Sequence, residues 1–326
     1  MKILLVRVSS LGDVLHNLPM VADILRNHPG ATIDWVVEEG YVSLVRLNPG
    51  VRRIIPFALR RWRKSLGNPA TRAEIKAFYR TLREEAYDYV FDTQGLLKTG
   101  LIMGAARVVK GGAKVGLANG SEGSGYEGIS RLFHTRSIRL DPRTHAVARG
   151  RLVAAAALGY QADSAPDFGL PSPDAASRCD WMPAAPYAVF FHGTAGASKK
   201  WATENWVATG KALAPMPVLL PWGSPGEKYE AEMLAANLPH AQLLPQLSMM
   251  DAVALARNAA LAIGVDTGLT HIAAAFGRPT VEIYCDSPKW KTEGNWSPVI
   301  VNLGDKGAPP SAQAVIEAAR GLLDRS

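Results

Sequence analysis

The chain opens on a short apolar run, MKILLVRV, that reads as a buried strand, and its pattern then alternates. Strand-like runs fall at 2–8, 32–38, 51–57, 87–93 and 114–118. Helical patterns lie between several of them, such as 73–86 and 95–107, and a helix near 149–159 closes this half. Strands that alternate with helices imply parallel βαβ units and a doubly wound sheet. Prolines then cluster at Pro166, Pro171, Pro173, Pro183 and Pro186, which reads as a linker, because proline lacks a backbone donor and breaks both kinds of element.

After the linker the alternation restarts. YAVFFH, PVLLPW, AQLLP, LAIGV and TVEIY are strand-like, with helices between them. One of these, 248–258, begins with Ser248 and Asp251 at capping-box spacing. The pattern predicts an N-terminal domain over 1–160, a linker over 161–186 and a C-terminal domain over 187–310. A last amphipathic helix within 311–326 can cross back onto the first domain. The fold class is α/β: two Rossmann-like doubly wound domains facing across a cleft, with ligands at the carboxyl ends of their strands.

Composition narrows the partners. Of 326 residues, 48% are hydrophobic and 20% charged, an ordinary globular balance with enough chain for two cores. No apolar run approaches the ~20 residues of a membrane span. The first strand is interrupted too soon to be a signal peptide, so a cytoplasmic protein is expected. Two cysteines, Cys179 and Cys285, give no disulfide framework. The net charge of +7 is uneven: residues 1–160 carry +11 and residues 161–326 carry −4. The first half should therefore meet an anionic partner, whether nucleic acid, a membrane surface or a phosphorylated substrate.

Six stretches follow strands and carry candidate chemistry. In "VRVSSLGDVLHNLP" Asp13 stands in the first βα turn, either as a helix cap or as a carboxylate general base. Gly12 before it lets the backbone approach a ligand closely. "GVDTGLTH", residues 264–271, exposes a helix N-terminus suited to a diphosphate; capping by Asp266 or Thr267 is the plainer alternative. "HGTAGASKKW", residues 192–201, is a small-residue loop with lysines that can neutralise a leaving group, though not a Walker A loop. In "PWGSPGEKYEAE" Glu227 can accept sugar or nucleoside hydroxyls, or simply favour the helix dipole. "RRWRK", residues 60–64, offers guanidinium forks for phosphate and carboxylate, or a solvated charged face. "DTQGLLKTG" adds Asp92, Gln94 and Lys98 after another strand. Histidine and cysteine spacings indicate no metal site, and neither GxGxxG after the first strand nor GxSxG occurs.

Together these stretches resemble the lipopolysaccharide heptosyltransferases. The resemblance runs through "SSLGDVLHNLP", "DWVVEEGY", "RRWRK", "YDYVFDTQGLLK", "KKW" and "GVDTGLTHIAAAFGRPTVEIY", nearly the whole chain. "DTGLTH" marks the wider family, and the first three stretches look like the members that add the first heptose rather than the second. The resemblance implies a GT-B glycosyltransferase that moves L-glycero-D-manno-heptose from ADP-heptose to a Kdo sugar on lipid A. It implies inversion at the anomeric carbon, no metal and no cofactor beyond the donor substrate.

Residue by residue, the resemblance makes Asp13 the general base. It places Thr194, Ala195, Lys199, Glu227, Asp266, Thr267, Gly268, Leu269 and His271 around the donor, with Lys199 also serving catalysis. Where the family often has adjacent threonines, this chain has Thr194 followed by Ala195, and Glu230 competes with Glu227 for its place. Ser10, Gly12, Arg60, Arg61, Arg63, Lys64, Gln94 and Lys98 fall to the acceptor. An anionic lipid acceptor would use the basic first half and bring the protein to the inner face of the inner membrane. The alternatives are a transferase of the second heptose, a non-catalytic nucleotide-sugar binding protein and, from charge alone, a nucleic-acid-binding protein.

Overall fold

The computed structural model describes residues 1–172, 179, 181–194 and 196–325, and the chain divides into two compact units, 1–169 and 170–326. In the first unit the apolar runs become β1 (Lys2–Val6), β2 (Thr32–Glu38), β3 (Val51–Phe57), β4 (Ala86–Asp92), β5 (Arg107–Leu117) and β6 (Arg136–Ile138). They form one parallel sheet in the order β3-β2-β1-β4-β5-β6. β1 lies between β2 and β4, with Leu4 beside Asp34 on one side and Val90 on the other. Being covered on both faces, Ile3, Leu4, Leu5 and Val6 are wholly buried.

The second unit repeats the plan with β7 (Ala188–Phe191), β8 (Val218–Leu220), β9 (Ala241–Leu243), β10 (Leu261–Val265), β11 (Thr280–Tyr284) and β12 (Ile300–Gly304). Its sheet runs β12-β11-β10-β7-β8-β9. Counted from each unit's own first strand, the order is the same. The strand order reverses between β1 and β4 in one unit and between β7 and β10 in the other. Those are the points where an open parallel sheet leaves a crevice for ligand at its carboxyl edge.

The structure departs from the sequence reading in several places. The helix expected over 73–86 starts earlier, at Pro69, because Asn68 accepts from the Ala70 N–H and Pro69 suits the first helical position. The helix over 95–107 is shorter, Leu97–Ala105, and Arg107 already belongs to β5. The helix near 149–159 begins at Ala146 and ends where Gly159 turns left-handed, with φ 79°. The edge strands β6 and β12 were not anticipated.

The first unit extends nine residues past the expected boundary, and the second takes in part of the expected linker. Pro173 lies outside the described residues. The closing helix, Ala312–Leu323, packs within the second unit, where Val315, Ala319 and Leu322 join the core with Val281 and Ile283. Its apolar face is buried there. Among the described residues, no helix is long and apolar enough to span a membrane.

Candidate functional site

In the first unit, the turn after β1 is built around Asp13. The helix Leu11–His16 starts there, and Asp13 stands in its first turn. The carboxylate accepts from the Ser10 backbone N–H at 3.1 Å and from the Ser10 hydroxyl at 2.9 Å. Its other oxygen pairs with the Arg7 guanidinium at 2.6 Å. Burial opposes its charge, yet Arg7 and the Ser10 donors win and hold the carboxyl well below the usual range. Its side chain keeps 38% exposure, so a fixed, ionised carboxylate faces out of the turn. The cap and the candidate base are thus one arrangement.

The turn after β4 meets this one. Gln94 accepts from the Val8 N–H at 3.0 Å and donates to the Ser9 hydroxyl at 3.2 Å, while Lys98 donates to the same hydroxyl at 3.0 Å. Asp92 shapes the turn from beneath, accepting from the Gln94 and Gly95 N–H groups and the Thr99 hydroxyl. Burial pushes the Asp92 carboxyl up against those donors. Lys98 is half-buried, and desolvation pushes its ammonium down although Glu38 pulls the other way. Glu38, at the end of β2, is buried and pushed up, with the Arg60 N–H and the charges of Arg60 and Lys98 opposing the shift.

The basic run divides. Arg60 is exposed and lies 5.9 Å from the Tyr41 ring centre. Arg61 is tied to Glu39 at 3.0 Å and Glu74 at 2.8 Å, bracing its short helix. Arg63 and Lys64 are exposed and make no side-chain pairing among the described residues. Trp62, inside the run, is buried against Phe57 and Phe78 and donates to Glu74.

In the second unit, the turn after β10 carries Asp266 and Thr267 into the helix Gly268–Ala275. A Cβ at Gly264 would sit 2.0 Å from the Thr270 hydroxyl, so only glycine lets Thr270 fold back to the Val265 carbonyl. Asp266 accepts from Lys199 at 2.8 Å, and from the His271 ring and the Thr292 hydroxyl at 3.1 Å each. His271 faces Glu282 with its other nitrogen at 2.9 Å. Burial disfavours a charged ring, but carboxylates on both nitrogens outweigh it and His271 is pushed up to about 10. Asp266 is held far below the usual range despite its burial. Glu282 also accepts from the Tyr284 hydroxyl and the Gly294 N–H.

Lys199 joins this network from the loop after β7, which also holds Thr194 half-buried. Ala195 lies outside the described residues. Glu227 caps its helix, accepting from Gly223 and Ser224 N–H groups at 2.7 and 3.1 Å. A Cβ at Gly193 would stand 2.7 Å from the Glu227 carboxyl carbon, so the glycine brings Glu227 against the Thr194 loop. Glu230 is committed elsewhere, to Lys200 and, at 3.9 Å, His192. Gly268 and Leu269 open the helix with N–H groups that have no intrahelical acceptor. Among the described residues, no three His, Cys, Asp or Glu side chains converge to hold a metal ion.

The pattern of glycosyltransferase family 9 (heptosyltransferase) matches residues 75–318. The chain belongs to this family. It is 39% identical over 287 residues to lipopolysaccharide heptosyltransferase 1 of Pseudomonas aeruginosa, covering 87% of this chain and 78% of that one. It is 37% identical to the protein of that name from Escherichia coli K12, covering 87% and 88%. A solved structure described as E. coli heptosyltransferase WaaC with ADP superimposes with a TM-score of 0.84 at 31% identity, covering 99% and 100%. That of E. coli ADP-heptose lps heptosyltransferase II shares the fold with a TM-score of 0.76 at 20% identity, covering 100% and 99%. The protein is therefore a family 9 glycosyltransferase with the GT-B fold.

Several residues of this heptosyltransferase-family site were missed in the sequence. Arg7 and Glu282 orient Asp13 and His271; Arg7 is buried directly after β1, and Glu282 is the one charge inside the apolar strand TVEIY. A charge in a strand buried on both faces must be paired, and that is a readable signal. Ser9, rather than Ser10, is what Gln94 and Lys98 grip. Thr292 carried no signal.

Proposed function

We propose that this chain transfers L-glycero-D-manno-heptose from ADP-heptose to the Kdo of Kdo-lipid A in the lipopolysaccharide inner core, with inversion. The observation that carries the chemistry is Asp13: ionised, fixed by Arg7 and Ser10, and still open at its strand end. An acceptor hydroxyl attacks the anomeric carbon while the bond to the diphosphate oxygen breaks, and ADP leaves with that electron pair. Asp13 takes the hydroxyl proton. Its depressed basicity makes this a late transfer, after the attacking oxygen has gained positive character.

Lys199 and the N–H groups opening at Gly268 meet the diphosphate and stabilise its departing charge. Glu227 and Thr194 hold the rest of the donor. Arg60, Arg63, Lys64 and Lys98 meet the anionic acceptor, with Ser10, Gly12 and Gln94 beside it. Relatives named lipopolysaccharide heptosyltransferase 1 and a structure of E. coli WaaC with ADP-2-deoxy-2-fluoro heptose support the donor and the first-heptose reading.

A peripheral approach to the inner membrane is part of the same reading. Leu97, Leu101, Ile129 and Leu132 are exposed on the helix Leu97–Ala105 and the turn Gly128–Phe133 packed on it, with Arg131 in that turn. Apolar and basic side chains together suit an anionic lipid surface. The test is ADP release with ADP-heptose and two acceptors, Kdo-lipid A without heptose and with one heptose. Release with the bare acceptor alone is expected; release only with the heptosylated one moves the protein to the second transfer.

A further inference from the structure

Arg149 is the least satisfied charge in the first unit. It stands in the first turn of the helix Ala146–Leu158 and is 8% exposed. Its Nε and Nη2 are both buried without a hydrogen-bond partner. Those two N–H groups lie on one edge of the guanidinium, the side-on fork that fits the two oxygens of a carboxylate. Beside it, the Ser121 hydroxyl is also buried and unpartnered, and the two residues line one small cavity with Asn119, Gly120, Asp141 and Thr144. Arg7, whose own Nε is unpartnered, and Asp13 are near enough to act on the charge of Arg149.

Electrostatics makes this a demand for an anion. Arg7 is matched by Asp13, while Arg149 makes no salt bridge among the described residues. Burial and the like charge of Arg7 push it down to about 10, with Asp13 pulling the other way. A water molecule could complete the hydrogen bonds but would leave the buried charge uncompensated. The cavity, about 10 Å³, holds one oxygen-sized group, so seating a whole carboxylate requires the Ser121 turn to give way.

We propose that the Nε–Nη2 fork of Arg149, with the Ser121 hydroxyl, is a binding site for the carboxylate of the acceptor sugar acid. The site sets that sugar in reach of Asp13. The proposal rests on the reading of the first unit as the acceptor side. It makes the acid group, rather than the lipid, the feature that positions the reacting hydroxyl.

The experiment pairs residue and substrate changes on the full chain. Kdo-lipid A and its Kdo methyl ester are compared as acceptors for wild type, Arg149→Met, Arg149→Lys and Ser121→Ala. Wild type should prefer the acid by about 10–100-fold in kcat/KM, the worth of a buried charge-assisted fork. Arg149→Met should abolish that preference with KM for ADP-heptose unchanged. Arg149→Lys, which keeps charge but not the fork, should restore only part of it, and Ser121→Ala should lose a smaller share. A preference that survives in Arg149→Met, or an equal loss on both acceptors, overturns the proposal.

Thermal protection by free Kdo, Kdo methyl ester and inorganic phosphate supplies a readout without turnover. Protection of wild type by Kdo alone, lost in Arg149→Met, supports the site even if no heptose is transferred; the transfer reading would then fall by itself. Equal protection by phosphate overturns the carboxylate assignment.

Discussion

The two units solve the same topological problem with opposite electrostatics. In each, a lysine bridges the crevice where the strand order reverses. In the first, Lys98 reaches from the β4 turn to a neutral hydroxyl, Ser9, in the β1 turn. In the second, Lys199 reaches from the β7 turn to a carboxylate, Asp266, in the β10 turn. Lys98 gives up water without gaining an ion partner at hydrogen-bond distance, and burial pushes it down. Lys199 is matched. The carboxylates differ in the opposite sense. Asp13 is 38% exposed, whereas Asp266 is 11% exposed and loaded by Lys199, His271 and Thr292. One crevice keeps its carboxylate open to a substrate and its lysine short of charge. The other uses its carboxylate as scaffold.

The largest effect should come from breaking the open carboxylate. Asp13→Asn keeps the shape and removes the base, so kcat should fall about 10²–10⁴-fold. ADP affinity, read by calorimetry, should hold because the proposed donor site lies in the second unit. Near-normal turnover would remove Asp13 from the chemistry and leave it as a cap.

Breaking the scaffold should instead cost stability. His271→Gln leaves Asp266 and Glu282 buried without the imidazolium between them, at about 3–5 kcal/mol. Urea unfolding of the full chain measures it, with the signal from Trp201 and Trp206 in the second core. The same ring predicts a pH dependence. Its folded pKa is pushed up to about 10, above the 6.5 of an ordinary histidine. Its stabilisation is therefore complete below about pH 6.5 and is lost as pH rises toward 10. Wild-type stability should decline across that window and His271→Gln should lack that decline.

Much of this was legible in the sequence, for physical reasons that can be named. β2, β10 and β11 fall where the apolar runs put them, because a strand buried on both faces must be mostly apolar. Ser248 and Asp251 form the expected box, since capping is decided by neighbours in sequence. β6 and β12 escaped because edge strands need less burial: β6 is largely exposed and β12 mostly half-buried. In the candidate site, the strand-end turns were readable, but which charge pairs with which was not: Glu282 meets His271 eleven residues back, and Thr292 meets Asp266 26 residues back. Arg149 stayed hidden because its meaning lies in an absent partner, which no pattern spells.

A gentler change sharpens the first crevice. Lys98→Met removes a half-buried ammonium held on Ser9 alone by hydrogen bond, so little structure depends on it. KM for the acceptor should rise about 10-fold, the worth of one charged hydrogen bond, with KM for ADP-heptose unchanged. A rise in the donor KM instead would place Lys98 on the other substrate.

The smallest effect separates residues that the sequence presents as one cluster. In "RRWRK", the Arg61 guanidinium pairs with Glu39 and Glu74, while the charges of Arg63 and Lys64 face solvent or ligand. Exposed ion pairs contribute little, and salt screens them. Arg61→Gln should therefore lower Tm slightly, by less at high salt, and leave the acceptor KM nearly unchanged. Arg63→Gln should do the reverse: no change in Tm, and a modest rise in acceptor KM that fades as salt screens the wild-type attraction. Equal shifts in KM from both variants would mean that Glu39 and Glu74 release Arg61 when the acceptor binds. The run would then act as the single basic surface that its spacing first implied.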